Sequence, residues 1–226
     1  MEEQDRRFEE RLTGWLAPDA YRFGAPLLLG AGLCAAFGWL AWVLALGVLA
    51  GFVVAFFRNP RRSVPEGEHR VVAPADGRVI EVGEVELPGG EKALRIGIFL
   101  SIFNVHVNRS PVSGRVLRIE RSGDAYRAAF DPAAAQRNVQ CRMTLEMADG
   151  RRAEVVQITG LIARRIICHP EVGEWLERGV RYGLIRFGSR TDVVLPLGSR
   201  ARVSRGDRVR GGASVIAELA PGEVAL

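Results

Sequence analysis

The feature that most constrains this 226-residue chain is a long stretch without charge. No charged side chain occurs from residue 23 to residue 57, a stretch of 35 residues between Arg22 and Arg58. One membrane-spanning helix needs about 20 apolar residues and two need about 40, whereas the apolar core of a secretory signal has only about 7–15. The stretch therefore predicts a tight helical hairpin that enters or crosses a bilayer, with its break near Gly38 and Trp39.

Basic residues on both flanks of this hairpin predict its orientation. Arg22 precedes it, and Arg58, Arg61 and Arg62 follow it. Because positive charge is retained on the cytoplasmic side, we expect both ends of the hairpin in the cytoplasm. This places the chain at the cell (inner) membrane with its remaining residues on the cytoplasmic side. The alternative is a hairpin buried in the core of a soluble protein.

The rest of the chain divides by composition. Residues 1–22 form a charged N-terminal segment, residues 23–57 the hairpin, and residues 58–70 a linker rich in proline and charge. From residue 71 to residue 226 short apolar stretches alternate with turn residues, which predicts an antiparallel β barrel or sandwich. One helical patch is expected around residues 128–138.

Two similar turns refine the expected fold. Residues 172–179 and 205–212 each contain a glycine followed by an acidic residue and a second glycine six positions after the first. Glycine supplies the positive φ that such turns need, and an apolar strand follows each turn. This pattern is typical of lipoyl-like barrel-sandwich domains. The predicted fold class is therefore mainly β: a lipoyl-like barrel-sandwich domain preceded by a membrane-associated helical hairpin.

The charge and cysteine content exclude several classes of function. The net charge of +5 suits an anionic membrane surface, but the basic residues are too scattered to predict nucleic-acid binding. Cys34, Cys141 and Cys168 show no spacing typical of zinc ligands, so neither a metal site nor a disulfide framework is expected.

Two polar positions in the β-rich region could carry chemistry. Asp76 lies in an Asp-Gly turn, where an acid could orient a histidine; an ordinary turn is the simpler interpretation. From residue 103 to 108 apolar and polar residues alternate, which predicts a strand with Asn104, His106 and Asn108 on one face. A histidine between two asparagines suits proton transfer, although a solvent-facing strand would show the same pattern.

A third position combines Gly188 and Ser189 between two apolar strands. A Gly-Ser pair is common at a hairpin. It is also suited to intramolecular acyl transfer, because glycine permits the strained backbone that the step needs and opens its carbonyl to attack. The Ser189 hydroxyl would attack the Gly188 carbonyl, and a nearby base would take its proton. Elimination would then leave dehydroalanine, which hydrolyses to a pyruvoyl group.

Together these segments resemble the phosphatidylserine decarboxylase family, in its short bacterial form. The resemblance spans about residues 50–226 and rests on APADGRV (73–79), FNVHVNRSPVSG (103–114) and YGLIRFGSRTDVVLP (182–196), with FFRNPRR (56–62) after the hairpin.

This resemblance implies the roles of the three positions. Asp76, His106 and Ser189 match the family's self-cleavage triad, in which His106 activates Ser189 and Asp76 holds the imidazole. Cleavage between Gly188 and Ser189 implies a β chain, 1–188, and an α chain, 189–226, that begins with the pyruvoyl group and pairs with it as a heterodimer. A higher oligomer of this heterodimer is the alternative.

The implied activity is a step of phospholipid biosynthesis carried out by a processed zymogen. The pyruvoyl group derived from Ser189 forms a Schiff base with phosphatidylserine and accepts the electrons left when CO2 departs, which gives phosphatidylethanolamine. His106 is the candidate proton donor to the α-carbon. The partners are phosphatidylserine and the bilayer, with no metal and no nucleic acid.

The phosphate-binding residues are not identified by the resemblance. The stretch 131–138 reads DPAAAQRN where the family often has a lysine and a glutamate. Arg109, Arg186 and Arg190 are candidates for the lipid phosphate or carboxylate, since arginine forms bidentate contacts; surface arginines would look the same.

Three alternatives remain open at this point. A membrane-anchored adaptor with lipoyl-like barrels would do no chemistry and stay in one piece. A soluble pyruvoyl decarboxylase of a free amino acid would not need the uncharged stretch. A decarboxylase of another lipid with a serine headgroup would use the same chemistry.

Overall fold

The described part of the protein falls into two compact units. The computed structural model describes residues 14–87, 89–131, 133–161, 165–186 and 189–220. One unit extends to Arg61 and the other begins at Arg62. Most of the charged N-terminal segment and Gly188 lie outside the described residues.

The first unit is a helical hairpin, as predicted. Helix α1 spans Asp19–Ala36 and helix α2 spans Leu40–Phe56. The chain reverses between them at Gly38, whose φ of 70° is readily adopted only by glycine. Helix α1 begins within the segment that was assigned to the charged N-terminus. No helix of the described ranges has both the length and the hydropathy of a membrane-spanning helix.

The second unit is mainly β, which confirms the predicted fold class. Its one described helix, α3, covers only Ala134–Arg137 of the expected helical patch. The strands are β1 (Arg70–Val72), β2 (Gly77–Glu86), β3 (Lys92–Leu100), β4 (Val107–Arg109), β5 (Gly114–Ser122), β6 (Gln140–Glu146), β7 (Arg152–Ile158), β8 (Ile166–Cys168), β9 (Trp175–Leu176), β10 (Arg181–Ile185), β11 (Ser189–Pro196), β12 (Arg200–Ala201), β13 (Arg208–Val209) and β14 (Val215–Glu218).

These strands form one large sheet and two small ones. The large sheet has the order β13-β2-β3-β11-β7-β6-β5-β9, and the small sheets have the orders β1-β14-β12 and β4-β10-β8. All of the strand pairs are antiparallel. The large sheet is symmetric about the boundary between β11 and β7, so that β3, β2 and β13 on one side correspond to β6, β5 and β9 on the other. In the small sheets β1, β14 and β12 correspond to β4, β10 and β8. The domain is therefore built from two copies of one seven-strand unit.

The two copies have the same strand register. Val79 of β2 pairs with Ile98 of β3, and a one-residue bulge follows. In the other copy Val116 of β5 pairs with Leu145 of β6, and a bulge follows there too. A weak sequence repeat underlies this match: residues 69–79 (HRVVAPADGRV) and 106–116 (HVNRSPVSGRV) share five of eleven residues. This repeat was not predicted from the sequence.

The predicted glycine turns are symmetry partners in this arrangement. Gly173 and Gly206 open the two turns with φ values of 95° and 103°, as expected from the sequence. The second glycines close them in the same way, since Gly179 N donates to the Ser110 carbonyl and Gly212 N to the Ala73 carbonyl, both at 2.8 Å.

One copy is inserted into the other. The inserted repeat comprises β4–β10, and the host repeat comprises β1–β3 with β11–β14. In the inserted repeat β6 and β7 are joined by the tight turn 147–151. In the host repeat the equivalent strands β3 and β11 are separated by the whole insert, and Leu100 pairs directly with Ser189 where they meet. Ser189 is therefore the first residue of the host repeat after the insert.

A small sheet packs on the inner face of the large sheet through polar side chains. Gln157 of β7 donates to Asn108 Oδ1 of β4 at 2.8 Å, and Asn108 Nδ2 donates to Thr191 Oγ1 of β11 at 3.3 Å. Gln157 and Thr191 are cross-strand partners, so they share one face of the sheet. Ser189 shares this face with Thr191, because side chains two residues apart along a strand point the same way.

The strand predicted from residue 103 onward was wrong in its first half. β4 begins only at Val107, and residues 101–104 form a turn in which Asn104 N donates to the Ser101 carbonyl at 2.9 Å. The Asn104 side chain stabilises this turn by accepting from Ser101, which competes with an extended conformation.

Candidate active site

Ser189 lies at one end of the large sheet, where the central strand β11 starts. This end of the sheet is called the sheet edge below. Its side chain is fully buried, and within the described residues its Oγ has no hydrogen-bond partner. A buried hydroxyl normally finds a partner, because leaving it without one costs about 1–3 kcal/mol. Such a cost is often retained at a site where the group reacts.

His106 precedes β4 and is also fully buried. Its Nδ1 lies 2.9 Å from the carbonyl oxygen of Asn104. A carbonyl oxygen only accepts, so Nδ1 must carry a hydrogen, and in the neutral ring the lone pair is then on Nε2. Nε2 is the atom that can act as a base.

Two connections bring His106 to the sheet edge where Ser189 lies. Leu100, the strand partner of Ser189, is six residues before His106. The His106 carbonyl accepts from Ile185 N at 3.4 Å, and Ile185 is four residues before Ser189.

Asp76 lies near this edge, but its carboxylate is bound to other groups. Oδ1 accepts from Gly211 N at 2.7 Å and Oδ2 accepts from Arg62 Nη2 at 2.8 Å. Neither partner is His106, whose Nδ1 is held by Asn104 instead. The expected direct contact within a triad is therefore absent from the described hydrogen bonds of Asp76.

The internal symmetry explains one of the two Asp76 contacts. Ser113 holds the equivalent position in the inserted repeat, and its Oγ accepts from Arg178 N at 2.9 Å. Capping this turn is thus a structural role shared by Asp76 and Ser113. The charge and the second oxygen of Asp76, which bind Arg62, are additional to that role. From the sequence Arg62 was expected only to flank the membrane segment, and no local signal pointed to this contact.

Arg109 lies in the same cluster as Arg62 and Asp76. Its Nη1 donates to the Gly179 carbonyl at 3.0 Å. Burial and the nearby Arg62 guanidinium lower the pKa of Arg109, and the Asp76 carboxylate opposes this shift. Two guanidinium groups with one carboxylate give this cluster an excess positive charge, so Arg109 stays a candidate for binding an anionic headgroup.

The placement of Arg190 does not favour the role suggested from the sequence. Consecutive residues of a strand point to opposite faces, so Arg190 faces away from the side of the sheet that bears Ser189. Its guanidinium is 2% exposed and binds Asp192 through Nε at 2.5 Å and Nη2 at 2.8 Å, and Glu81 as well. Burial raises the pKa of Asp192, and the Arg190 guanidinium counteracts that rise. Arg190 thus neutralises buried carboxylates.

Arg186 lies just after β10, and its backbone N donates to the Arg165 carbonyl at 3.3 Å. Its position, three residues before Ser189, is compatible with the suggested headgroup contact. That role stays a prediction.

A groove of about 1110 Å³ lies elsewhere, over the large sheet. Charged side chains such as Arg95, Arg142 and Glu154 line it, but none of Asp76, His106 and Ser189 does. The chemistry of the side chains, rather than the size of this groove, identifies the candidate site.

A buried hydroxyl and a buried histidine with a defined tautomer, near the junction of two β repeats, define a candidate site for nucleophilic acyl chemistry. Residues 49–217 match the phosphatidylserine decarboxylase family. A relative from Paraburkholderia phytofirmans, named phosphatidylserine decarboxylase proenzyme, is 46% identical over 184 residues, which cover 81% of this chain and 84% of the relative. Proteins of the same name from Burkholderia ambifaria and Paraburkholderia xenovorans are 45% and 46% identical over 81% and 80% of this chain. The chain belongs to the phosphatidylserine decarboxylase family.

Proposed function

We propose that this chain is a precursor that cleaves itself between Gly188 and Ser189 and then decarboxylates phosphatidylserine to phosphatidylethanolamine. The observation that carries the proposal is the buried Ser189 hydroxyl at the start of β11, which has no described partner. The backbone of the buried His106 is bonded to Ile185, four residues before Ser189. The relatives are named for the substrate and for a proenzyme.

Self-cleavage begins with a proton transfer within the site. His106 Nε2 takes the hydroxyl proton of Ser189, and Oγ attacks the carbonyl carbon of residue 188. The peptide C–N bond breaks as the ester C–O bond forms, and the proton held by His106 passes to the released nitrogen of residue 189. Loss of the Ser189 α-proton then expels residue 188 as a carboxylate. Water replaces the nitrogen on the remaining dehydroalanine, ammonia leaves, and residue 189 becomes a pyruvoyl group.

The surroundings of Ser189 fit a pyruvoyl group. The group supplies an electron-accepting carbonyl for decarboxylation. Full burial of residue 189 excludes bulk water from the reacting atoms. His106, once protonated, can return a proton to the substrate carbon after CO2 has left. The excess positive charge of Arg62 and Arg109 beside Asp76 is a candidate binding site for the headgroup phosphate.

The fold explains why the cleaved chains stay together. The α chain would hold β11–β14, and β11 pairs with β3 on one side and β7 on the other. β13 pairs with β2, and β14 pairs with β1. Cleavage before Ser189 therefore interrupts a connection between repeats and leaves the strand pairing of β11 in place.

The helical hairpin is proposed to bind the inner membrane, with the β domain on the cytoplasmic side. Both helices expose large apolar side chains, which an aqueous surface disfavours: Leu28, Leu29, Leu33, Phe37, Trp39, Leu40, Trp42, Leu44 and Val48 are each more than half exposed. Arginines flank the hairpin on both sides. Loss of vesicle flotation on deletion of residues 14–57 would support this location, and unchanged flotation would contradict it.

Intact-mass analysis of the purified full chain tests the proposed cleavage. We expect two chains, 1–188 and 189–226, with a pyruvoyl mass in place of the N-terminal serine of the second. Ser189→Ala is the matched control and should stay in one piece without activity. A wild-type chain that remains unbroken yet converts phosphatidylserine in vesicles would overturn the proposal.

The same preparation separates the alternatives left open by the sequence. An adaptor would give one chain and no CO2 release from any lipid. A decarboxylase of free amino acids would release CO2 from serine as readily as from phosphatidylserine. Comparing phosphatidylserine vesicles with free serine and with a serine-headgroup lipid of different tails therefore fixes the substrate class.

A further inference from the structure

We infer that Asn104 is a positioning residue for self-cleavage: its side chain closes the 101–104 turn and thereby aims its own carbonyl at His106 Nδ1. This inference rests on the proposed function for its kinetic consequence, although the tautomer that it predicts exists whether or not the chain is cleaved.

The turn is closed by three hydrogen bonds between two residues. Asn104 N donates to the Ser101 carbonyl at 2.9 Å. Asn104 Oδ1 accepts from Ser101 N at 2.9 Å and from Ser101 Oγ at 2.8 Å. A side-chain oxygen that accepts from the backbone three residues earlier fixes the conformation of the whole turn.

The orientation of the Asn104 carbonyl follows from this turn. The carbonyl lies 2.9 Å from His106 Nδ1, two residues further along the chain. Because the acceptor can only accept, this contact selects the tautomer with hydrogen on Nδ1 and leaves the lone pair on Nε2. A free imidazole would divide between the two tautomers and would rotate about its side-chain bonds.

This is the task that a carboxylate performs in a serine-type triad, where it holds Nδ1–H of the histidine. Here Asp76 is bound to Arg62 and Gly211, and the backbone of Asn104 holds the ring. Asp76 would then act on the site through its charge, and Asn104 would set the geometry of the base.

Removing Asn104 Oδ1 should slow cleavage without unfolding the protein. For Asn104→Ala we expect the rate of precursor cleavage to fall about 10–100-fold, by analogy with the loss of a partner that orients a metal-binding histidine. Asn104→Asp keeps the accepting oxygen and should cleave within about threefold of wild type.

The inserted repeat offers a matched control. Its turn after β6 is closed by Asp149, whose Oδ1 accepts from Arg151 N at 3.0 Å. Asp149→Ala removes a turn-closing side chain from the equivalent corner of the other repeat. It should leave the cleavage rate unchanged, because no imidazole depends on that turn.

The tautomer provides a readout that a purely structural role would not change. The ring nitrogens of His106 can be observed by 15N NMR in the uncleavable Ser189→Ala full chain, which has only three histidines. We expect a single Nδ1–H tautomer there and a mixture after Asn104→Ala is added. An unchanged Nδ1–H tautomer in the double variant would overturn the inference.

The NMR measurement and the cleavage rates separate the positioning role of Asn104 from the proposed function. If the wild-type chain is not cleaved but the tautomer responds to Asn104→Ala, the positioning role stands and the proposed function fails. If cleavage occurs and Asn104→Ala cleaves at the wild-type rate, the positioning role fails alone. Slow cleavage of both Asn104→Ala and Asn104→Asp would likewise contradict a role for the accepting oxygen.

Discussion

The host repeat and the inserted repeat have the same strand order and register. They differ in residue type or in burial at the positions proposed to carry chemistry. Ser189 opens β11 in the host repeat, whereas the equivalent position in the inserted repeat is Arg151, within a tight turn. His106 is buried at the start of the inserted repeat, while its counterpart His69 is exposed. The proposed catalytic residues therefore lie where the two repeats have diverged.

The buried interior shows the same divergence. Asn108, Gln157 and Thr191 form a hydrogen-bonded group beside Ser189. The symmetry-related positions hold only apolar side chains, Val71, Leu195 and Ala153, all of them buried. One end of a symmetric core is thus polar and the other apolar, and Ser189 lies at the polar end.

The largest effect is expected from removing the buried His106, compared with removing its exposed counterpart His69. His106→Ala should slow precursor cleavage by about 10²–10⁴-fold, because a general base contributes that much to a proton transfer. His69→Ala, at the equivalent position, should cleave at the wild-type rate. A time course on denaturing gels measures both, and equal rates for the two variants would remove His106 from the mechanism.

The next largest effect is expected on the free energy of unfolding, when the arginines at the same strand position of the two repeats are replaced. Arg190→Ala leaves the buried Asp192 without its main partner and should lower the free energy of unfolding by about 3–5 kcal/mol. The counterpart Arg152 is 68% exposed and lies 4.0 Å from Glu146, so Arg152→Ala should cost less than about 0.5 kcal/mol. Urea unfolding in the Ser189→Ala background gives both values. Similar losses would contradict the assignment of Arg190 to a buried ion cluster.

A smaller effect should separate the two roles of Asp76. Asp76→Ser copies Ser113 and retains an oxygen for Gly211 N, but it removes the charge that binds Arg62. The lost carboxylate would no longer stabilise the imidazolium that forms at His106, so cleavage should slow about tenfold, which corresponds to about 1.4 kcal/mol. Ser113→Ala should leave cleavage unchanged and cost about 1 kcal/mol of stability. If Asp76→Ser were cleaved at the wild-type rate, the charge of Asp76 would have no part in cleavage, and its role would be limited to capping the turn.

The smallest effect is expected inside the polar group. Thr191→Ala reproduces the inserted repeat, which has Ala153 at this position, and removes a hydrogen bond of 3.3 Å. The free energy of unfolding should fall by about 0.5–1.5 kcal/mol, as for a typical buried hydrogen bond. Thermal unfolding of the Ser189→Ala precursor with and without the change measures it. A loss above about 3 kcal/mol would mean that the group acts as one cooperative network.

Much of the fold and part of the site could be predicted from local sequence patterns. The hairpin with its break at Gly38, most strands and the positive φ at Gly173 and Gly206 follow from side-chain period and glycine chemistry, which act over a few residues. The same patterns failed between residues 103 and 106, because the hydrogen bonds of Asn104 to Ser101 outweighed the alternation of apolar and polar residues.

The sequence alone determined most of the elements and the turn glycines, and it singled out Ser189, His106 and Asp76 as candidates for the chemistry, since these depend on short segments and on side-chain chemistry. Only the tertiary structure decided that one repeat is inserted in the other, that Arg190 faces away from Ser189, and that Arg62 rather than His106 binds Asp76. The pairing of β11 with β3 joins strands that are separated along the chain by the whole insert. Which strands become neighbours, and which side chains then meet, depends on the assembled sheets, and no pattern within a few residues specifies it.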